Sequence, residues 1–188
     1  MCTQAVLSAP QVSLRGFGFV HALWLYGGPV QHAIQRMKYG RRIEMAKALA
    51  SEVSVRLLED RQFDVLIPIP LTKKRLRSRG FNPALEICRA TRFRTESSAL
   101  VRIQAKHTQV GLGPMARRKN VLDAFVVKNP KRIRGKRVLL VDDVMTTGST
   151  LLESGQVVRA AGAHSVEGLV LARTMIEDPN ITVIDDRL

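Results

Sequence analysis

Few of the residues that would tie this chain to several common chemistries are present. It has two cysteines, Cys2 and Cys88, in 188 residues. By themselves they make neither a disulfide framework nor a zinc site, so a reducing, cytoplasmic setting and no bound zinc are expected. The four histidines, His21, His32, His107 and His164, show no HxxxH or HExxH spacing, which argues against a metalloenzyme. Aromatic residues make up 5% of the chain, leaving few platforms on which nucleobases could stack. No apolar run approaches the roughly 18 residues of a membrane span. The N-terminus lacks a charged stretch ahead of an apolar one, so no signal peptide is expected. No GxGxxG follows a strand, and the P-loop is excluded because Gly148 is followed by Ser149 rather than Lys. Acidic residues are also scarce, 16 Asp+Glu against 30 Lys+Arg, for a formal net charge of +14. Such a field favours polyanions, either nucleic acid or highly phosphorylated small molecules.

What is present is organised around Lys136–Thr150, KRVLLVDDVMTTGST. Val138–Val141 is a short continuous apolar run, the pattern of a strand buried on both faces of a parallel sheet. Asp142 and Asp143 place two carboxylates at its carboxyl end, where open α/β sheets bind ligands. Met145–Thr150 is a Gly- and hydroxyl-rich turn into a helix carrying Leu151, Leu152, Val158 and Ala161 at roughly helical spacing. Free N–H groups there, with the hydroxyls of Thr146, Thr147, Ser149 and Thr150, would cradle a phosphate. Gly148 would permit close approach and positive φ. A carboxylate pair beside a phosphate cradle suits sugar hydroxyls, or a Mg²⁺ that keeps most of its waters. The implied ligand is a ribose 5-phosphate derivative.

That string closely resembles the signature of type I phosphoribosyltransferases, which bind 5-phosphoribosyl-1-pyrophosphate (PRPP). The resemblance implies an α/β fold, a mostly parallel central sheet with helices on both faces and a small hood. It assigns the ribose diol to Asp142 and Asp143, and the 5-phosphate to Thr146, Thr147, Gly148, Ser149 and Thr150. Mg²⁺ would arrive with PRPP, near the acidic pair.

The rest of the chain is read around that centre. Met1–Arg15 is polar and irregular. Phe17–Tyr26 reads as a strand or hairpin covering one end of the sheet. Val30, Ile34 and Met37 mark a short helix ending at Gly40, and Lys38, Arg41 and Arg42 read chiefly as its solvated face. Ile43–Asp60 is a second helix by its apolar period. Phe63–Pro70 is a core strand, and the basic stretch Leu71–Asn82 reads as a loop before a helix capped by Asn82-Pro83 and running to about Thr91. Lys73, Lys74 and Arg75 in that loop are pyrophosphate candidates by the same resemblance, and Arg77 and Arg79 share its charge. Leu100–Gln104 and Asp123–Lys128 are strands. Between them, AKHTQVGLGPMARRKN resembles the family's mobile loop, with Arg79, Arg117, Arg118 and Lys119 as loop or nucleic-acid candidates. Gly162 would end the central helix, Val166–Ala172 forms another buried strand, and Ile181–Ile184 an edge. The length suits one domain, divided into an N-terminal cap segment (1–28) and a core (29–188), compatible with a monomer or a dimer.

GGPVQHAIQRMKYG, IPIPLTKKRLRSRGFNPA, QVGLGPMARRKNVLDAFVV and VLLVDDVMTTGSTL together resemble the ComF/GntX family over most of the chain. That resemblance implies a phosphoribosyltransferase fold serving natural competence, with PRPP, single-stranded DNA and a competence helicase or uptake machinery as partners. The family's Cys-rich zinc module is not matched, since Cys2 alone stands in that region. Two other functions fit the same motif: a salvage enzyme joining a nucleobase to PRPP, or a PRPP-sensing regulator without chemistry. For an acceptor pocket the downstream segment offers Arg173 and the pair Glu177-Asp178.

Overall fold

A computed structural model describes residues 9–39, 43–53, 63–91, 93–103, 124–175 and 178–184. In chain order the elements are β1 (Val12–Leu14), β2 (Gly18–Leu25), α1 (Gly28–Tyr39), α2 (Ile43–Val53), β3 (Val65–Pro68), α3 (Lys73–Arg79), α4 (Pro83–Ala90), β4 (Leu100–Arg102), β5 (Phe125–Val127), a 3₁₀ turn (Pro130–Arg132), β6 (Arg137–Met145), α5 (Ser149–Ala160), β7 (Ser165–Arg173) and β8 (Ile181–Val183). Among the described residues, six strands form one sheet in the order β3-β6-β7-β2-β1-β8, and β4 pairs with β5 in a separate two-stranded sheet. β3, β6, β7 and β2 run parallel, while β1 is antiparallel to β2 and to β8.

The continuous apolar run of β6 follows from helices on both faces. Val138 and Leu140 enter one core with Ile67, Leu151 and Val158; Leu139 and Val141 enter the other with Ile34, Met37 and Ile87. Successive strand side chains point to opposite faces, so a strand clad on both sides has no polar position to spare. All four residues are fully buried, each contributing about 1.5–3 kcal/mol. One face is covered by α5, the other by α1, α2 and α4. α5 lies close because Gly155 and Gly168 admit the Phe17 ring: a Cβ on Gly155 would sit 2.5 Å from Phe17 Cε2.

Three expectations are corrected. Val12–Leu14, read as irregular, is a strand. Phe17–Tyr26 does not cover one end of the sheet, since β2 is an interior strand paired with β7 along Val20–Leu25. The basic loop after β3 is the helix α3, whose N-cap Thr72 accepts the Arg75 N–H at 3.2 Å and whose last turn closes on Gly80 at φ 81°. Other boundaries match: Asn82 caps α4 by accepting the Ala84 N–H, and Gly162 follows α5 at φ 94°. Of the second predicted helix, the described part is Ile43–Val53.

Candidate functional site

Three elements deliver side chains to one rim. β6 runs on past the end of β3, whose last pair is Pro68 with Val141, while staying paired with β7 as far as Met145 with Arg173, so Asp142 and Asp143, expected just after the strand, lie within it where β3 no longer flanks it. α3 rises from the same rim after β3, and its return is fixed by Asn82 Nδ2 donating to the Ile69 carbonyl at 2.9 Å. α1 packs Val30, Ile34 and Met37 into the core. Lys38, next to Met37, lies at the margin of that buried stripe, so its stem is covered while its ammonium reaches the rim.

The ammonium meets Asp143. Lys38 Nζ lies 2.7 Å from Asp143 Oδ1, and Arg79 Nη1 lies 3.5 Å from Oδ2. All three side chains are largely withdrawn from solvent, with Lys38 15%, Arg79 13% and Asp143 10% exposed, so this is a desolvated cluster rather than a surface ion pair. Asp142 accepts the Asp143 N–H through Oδ1 at 2.8 Å. Its carboxyl is pushed up to about 7, first by burial and then by the charge of Asp143; the Asp143 N–H, Lys38 and Arg102 oppose the shift.

Around the pair is a cavity of about 370 Å³ lined by Tyr26, Lys38, Ile69, Pro70, Leu71, Arg75, Arg79, Arg102, Asp142, Asp143, Val144, Thr146 and Thr150. It adjoins a recess of about 30 Å³ formed by the turn into α5, from Asp142 and Thr146 to Leu151. Gly148 is the N-cap of α5 at φ 74°. The close approach it permits is to the protein itself, since a Cβ there would meet Leu14 Cδ2 at 2.6 Å. Seated on β1, the turn presents the hydroxyls of Thr146, Ser149 and Thr150 to the recess. Thr147 Oγ1 lies outside that lining and bonds Ser149 Oγ at 3.2 Å.

The predicted residues therefore divide. Asp142, Asp143, Thr146, Gly148, Ser149, Thr150, Arg75 and Arg79 are gathered around the joined cavities. Lys73 and Lys74 are exposed on α3 and line neither. Arg117, Arg118 and Lys119 lie outside the described residues. Arg173 is buried at the end of β7, its Nε donating to the Pro10 carbonyl at 3.4 Å; Asp178 holds Asn180. Lys38 corrects the solvated-face reading. Arg102 is a site residue that nothing local in the sequence marks: it lines the cavity from β4 with its guanidinium 5.0 Å from the Phe125 ring centroid.

The fold and this arrangement define a phosphoribosyltransferase domain, and the family model described as phosphoribosyl transferase domain matches residues 43–182. The chain is 34% identical over 160 residues to DNA utilization protein YhgH of Escherichia coli O6:H1, covering 80% of this chain and 70% of that protein. It is 32% identical over 161 residues to Competence protein F of Haemophilus influenzae, covering 79% and 69%. Among solved structures, the glutamine PRPP amidotransferase of B. subtilis aligns with a TM-score of 0.51 at 20% identity, over 72% of this chain and 30% of that one, a likeness of fold. The chain belongs to the ComF family of phosphoribosyltransferase-domain proteins. No helix among the described residues is long and apolar enough to cross a membrane.

Proposed function

We propose that this protein binds Mg–PRPP at the joined cavities and single-stranded DNA beside them, in the handling of DNA taken up during natural competence, in the cytoplasm. The observation that carries the reading is the meeting, in one cavity, of an acidic pair, a hydroxyl-lined recess at the α5 N-terminus and four cationic side chains, Lys38, Arg75, Arg79 and Arg102. On this reading the recess receives the 5-phosphate through the Thr146, Ser149 and Thr150 hydroxyls and the first free N–H groups of α5. Asp142 and Asp143 accept the ribose hydroxyls. Lys38 and Arg79 exchange part of their contact with Asp143 for the pyrophosphate, a denser negative charge, and Arg75 joins them. The donor set fits magnesium: two carboxylates beside a polyphosphate suit a hard cation that keeps several waters. Bound there, the ion would neutralise charge on the pyrophosphate. Any departure of pyrophosphate would leave positive charge on the sugar ring, which the two carboxylates are placed to stabilise.

The names of the relatives, a DNA utilization protein and a competence protein, support the DNA role, as does the net charge of +14. The salvage reading has less support. Arg173 already donates to the Pro10 carbonyl and Asp178 already accepts from Asn180, so the described part of the downstream segment brings no unpartnered group forward for an acceptor base. The test is fluorescence anisotropy of a labelled single-stranded oligonucleotide across a salt series, with and without Mg–PRPP. Affinity falls with a log–log slope of about −0.7 per neutralised phosphate, and Mg–PRPP competes because it draws on the same cations. Absence of binding at low salt removes the DNA role. Pyrophosphate release with one member of a nucleobase panel would establish the salvage reading instead.

A further inference from the structure

A second cavity, of about 390 Å³, opens beside the first between α1 and α3. α1 gives it Gln35, Lys38 and Tyr39, and α3 gives it Arg75, Ser78 and Arg79. Among its described lining residues there is no carboxylate, and no described residue offers Arg75 one. Tyr39, the last residue of α1, is 78% exposed. A large aromatic ring left in water gains nothing for the fold. Set on the wall of a basic hollow, it is a face on which a base can lie while the adjoining cations take its phosphate. Lys73, Lys74 and Arg77 are exposed elsewhere on α3.

We propose that this outer cavity seats one nucleotide of a single strand, its base stacked on Tyr39 and its phosphate held by Arg75 and Lys38. The inference rests on the DNA-binding reading above and names its site. A duplex would not serve, since the stacking face of an internal base is already occupied by its neighbours. Every base has such a face, so the site takes single strands with little sequence preference. Lys38, Arg75 and Arg79 line both cavities, which makes the strand and the pyrophosphate of PRPP rivals for the same three charges.

The test compares a labelled oligothymidylate with an abasic strand carrying the same number of phosphates, at low salt, on the full chain. Wild type binds the oligothymidylate about tenfold more tightly. Tyr39→Ala loses that preference while keeping its affinity for the abasic strand, and Tyr39→Phe retains it. As Tyr39 is exposed, the alanine variant folds, which its melting temperature verifies. If wild type binds both strands equally, or if Tyr39→Ala keeps the preference, the stacking site is refuted while DNA binding stands. If wild type binds neither strand, the DNA reading falls and this inference with it.

Discussion

Replacing Lys38 by methionine keeps the length of a stem that crosses the margin of the α1 core and removes the ammonium 2.7 Å from Asp143. The carboxylate left behind is 10% exposed and retains Arg79 at 3.5 Å. Stripping one partner from a buried pair typically costs about 3–5 kcal/mol, because the remaining charge stays desolvated. Arg79 can close on the vacated oxygen and recover part of this, which leaves about 2 kcal/mol by the same comparison. For a chain of this length, that lowers the melting temperature by about 4–8 °C. A change in stability alone would not show that the pair is responsible. The decisive assay is therefore a double-mutant cycle in urea with Lys38→Met, Asp143→Asn and the two combined. Asp143→Asn removes the charge that Lys38 answers, so adding Lys38→Met to it costs little, and the cycle gives a coupling of about 2 kcal/mol. If the two substitutions add to within about 0.5 kcal/mol, as independent sites do, the ion pair does not hold in solution, and the assignment of Lys38 to this site is wrong.

Three further outcomes follow from the same geometry. The Asp142 carboxyl is raised to about 7 and is protonated below that value, so PRPP affinity rises with pH up to neutrality and falls toward a limit of about tenfold per unit below it; calorimetry at pH 6 and 8 checks this. Gly155→Ala places a methyl 2.5 Å from the buried Phe17 ring and destabilises the chain by about 1–3 kcal/mol, despite the better helix propensity of alanine, in chemical denaturation. Glu96, buried beneath Arg132 and Arg94, has its carboxyl held below the ordinary range, first by the Arg132 hydrogen bond. Its contribution is complete above the unfolded value near 4.3 and is lost as pH falls through the folded one, so acid melts of Glu96→Gln are less steep in that window than those of wild type.

The core of this site was legible because its determinants are local. A run of four apolar residues ending in two carboxylates and a hydroxyl-rich turn can be recognised from consecutive residues, and the helix caps at Asn82 and Gly162 are equally local. Lys38 was not legible as a site residue, because the carboxylate it answers is more than a hundred positions away and a lysine at a helix margin looks solvated until its partner is placed. In the sequence, α3 reads as a loop for a related reason. It has no buried residue, so it lacks the apolar period that marks helices, although Thr72 and Gly80 bracket it with ordinary cap chemistry. The interior place of β2 depends on its parallel pairing with β7, a choice of partner that neither segment encodes by itself. Arg102 stands opposite Phe125 in the pairing of β4 with β5, a long-range register that no local pattern encodes.

The central claim is that Asp142 and Asp143 hold the sugar of a phosphoribosyl ligand. It is tested most directly by calorimetric titration of Mg–PRPP into wild type and into Asp142→Asn with Asp143→Asn. Each charge-assisted hydrogen bond lost costs about 1.5–3 kcal/mol, or at least about tenfold in affinity per bond. The predicted result is magnesium-dependent binding to wild type and a loss of at least about a hundredfold in the double variant. Equal affinities for the two proteins, with the variant folded, would contradict the account.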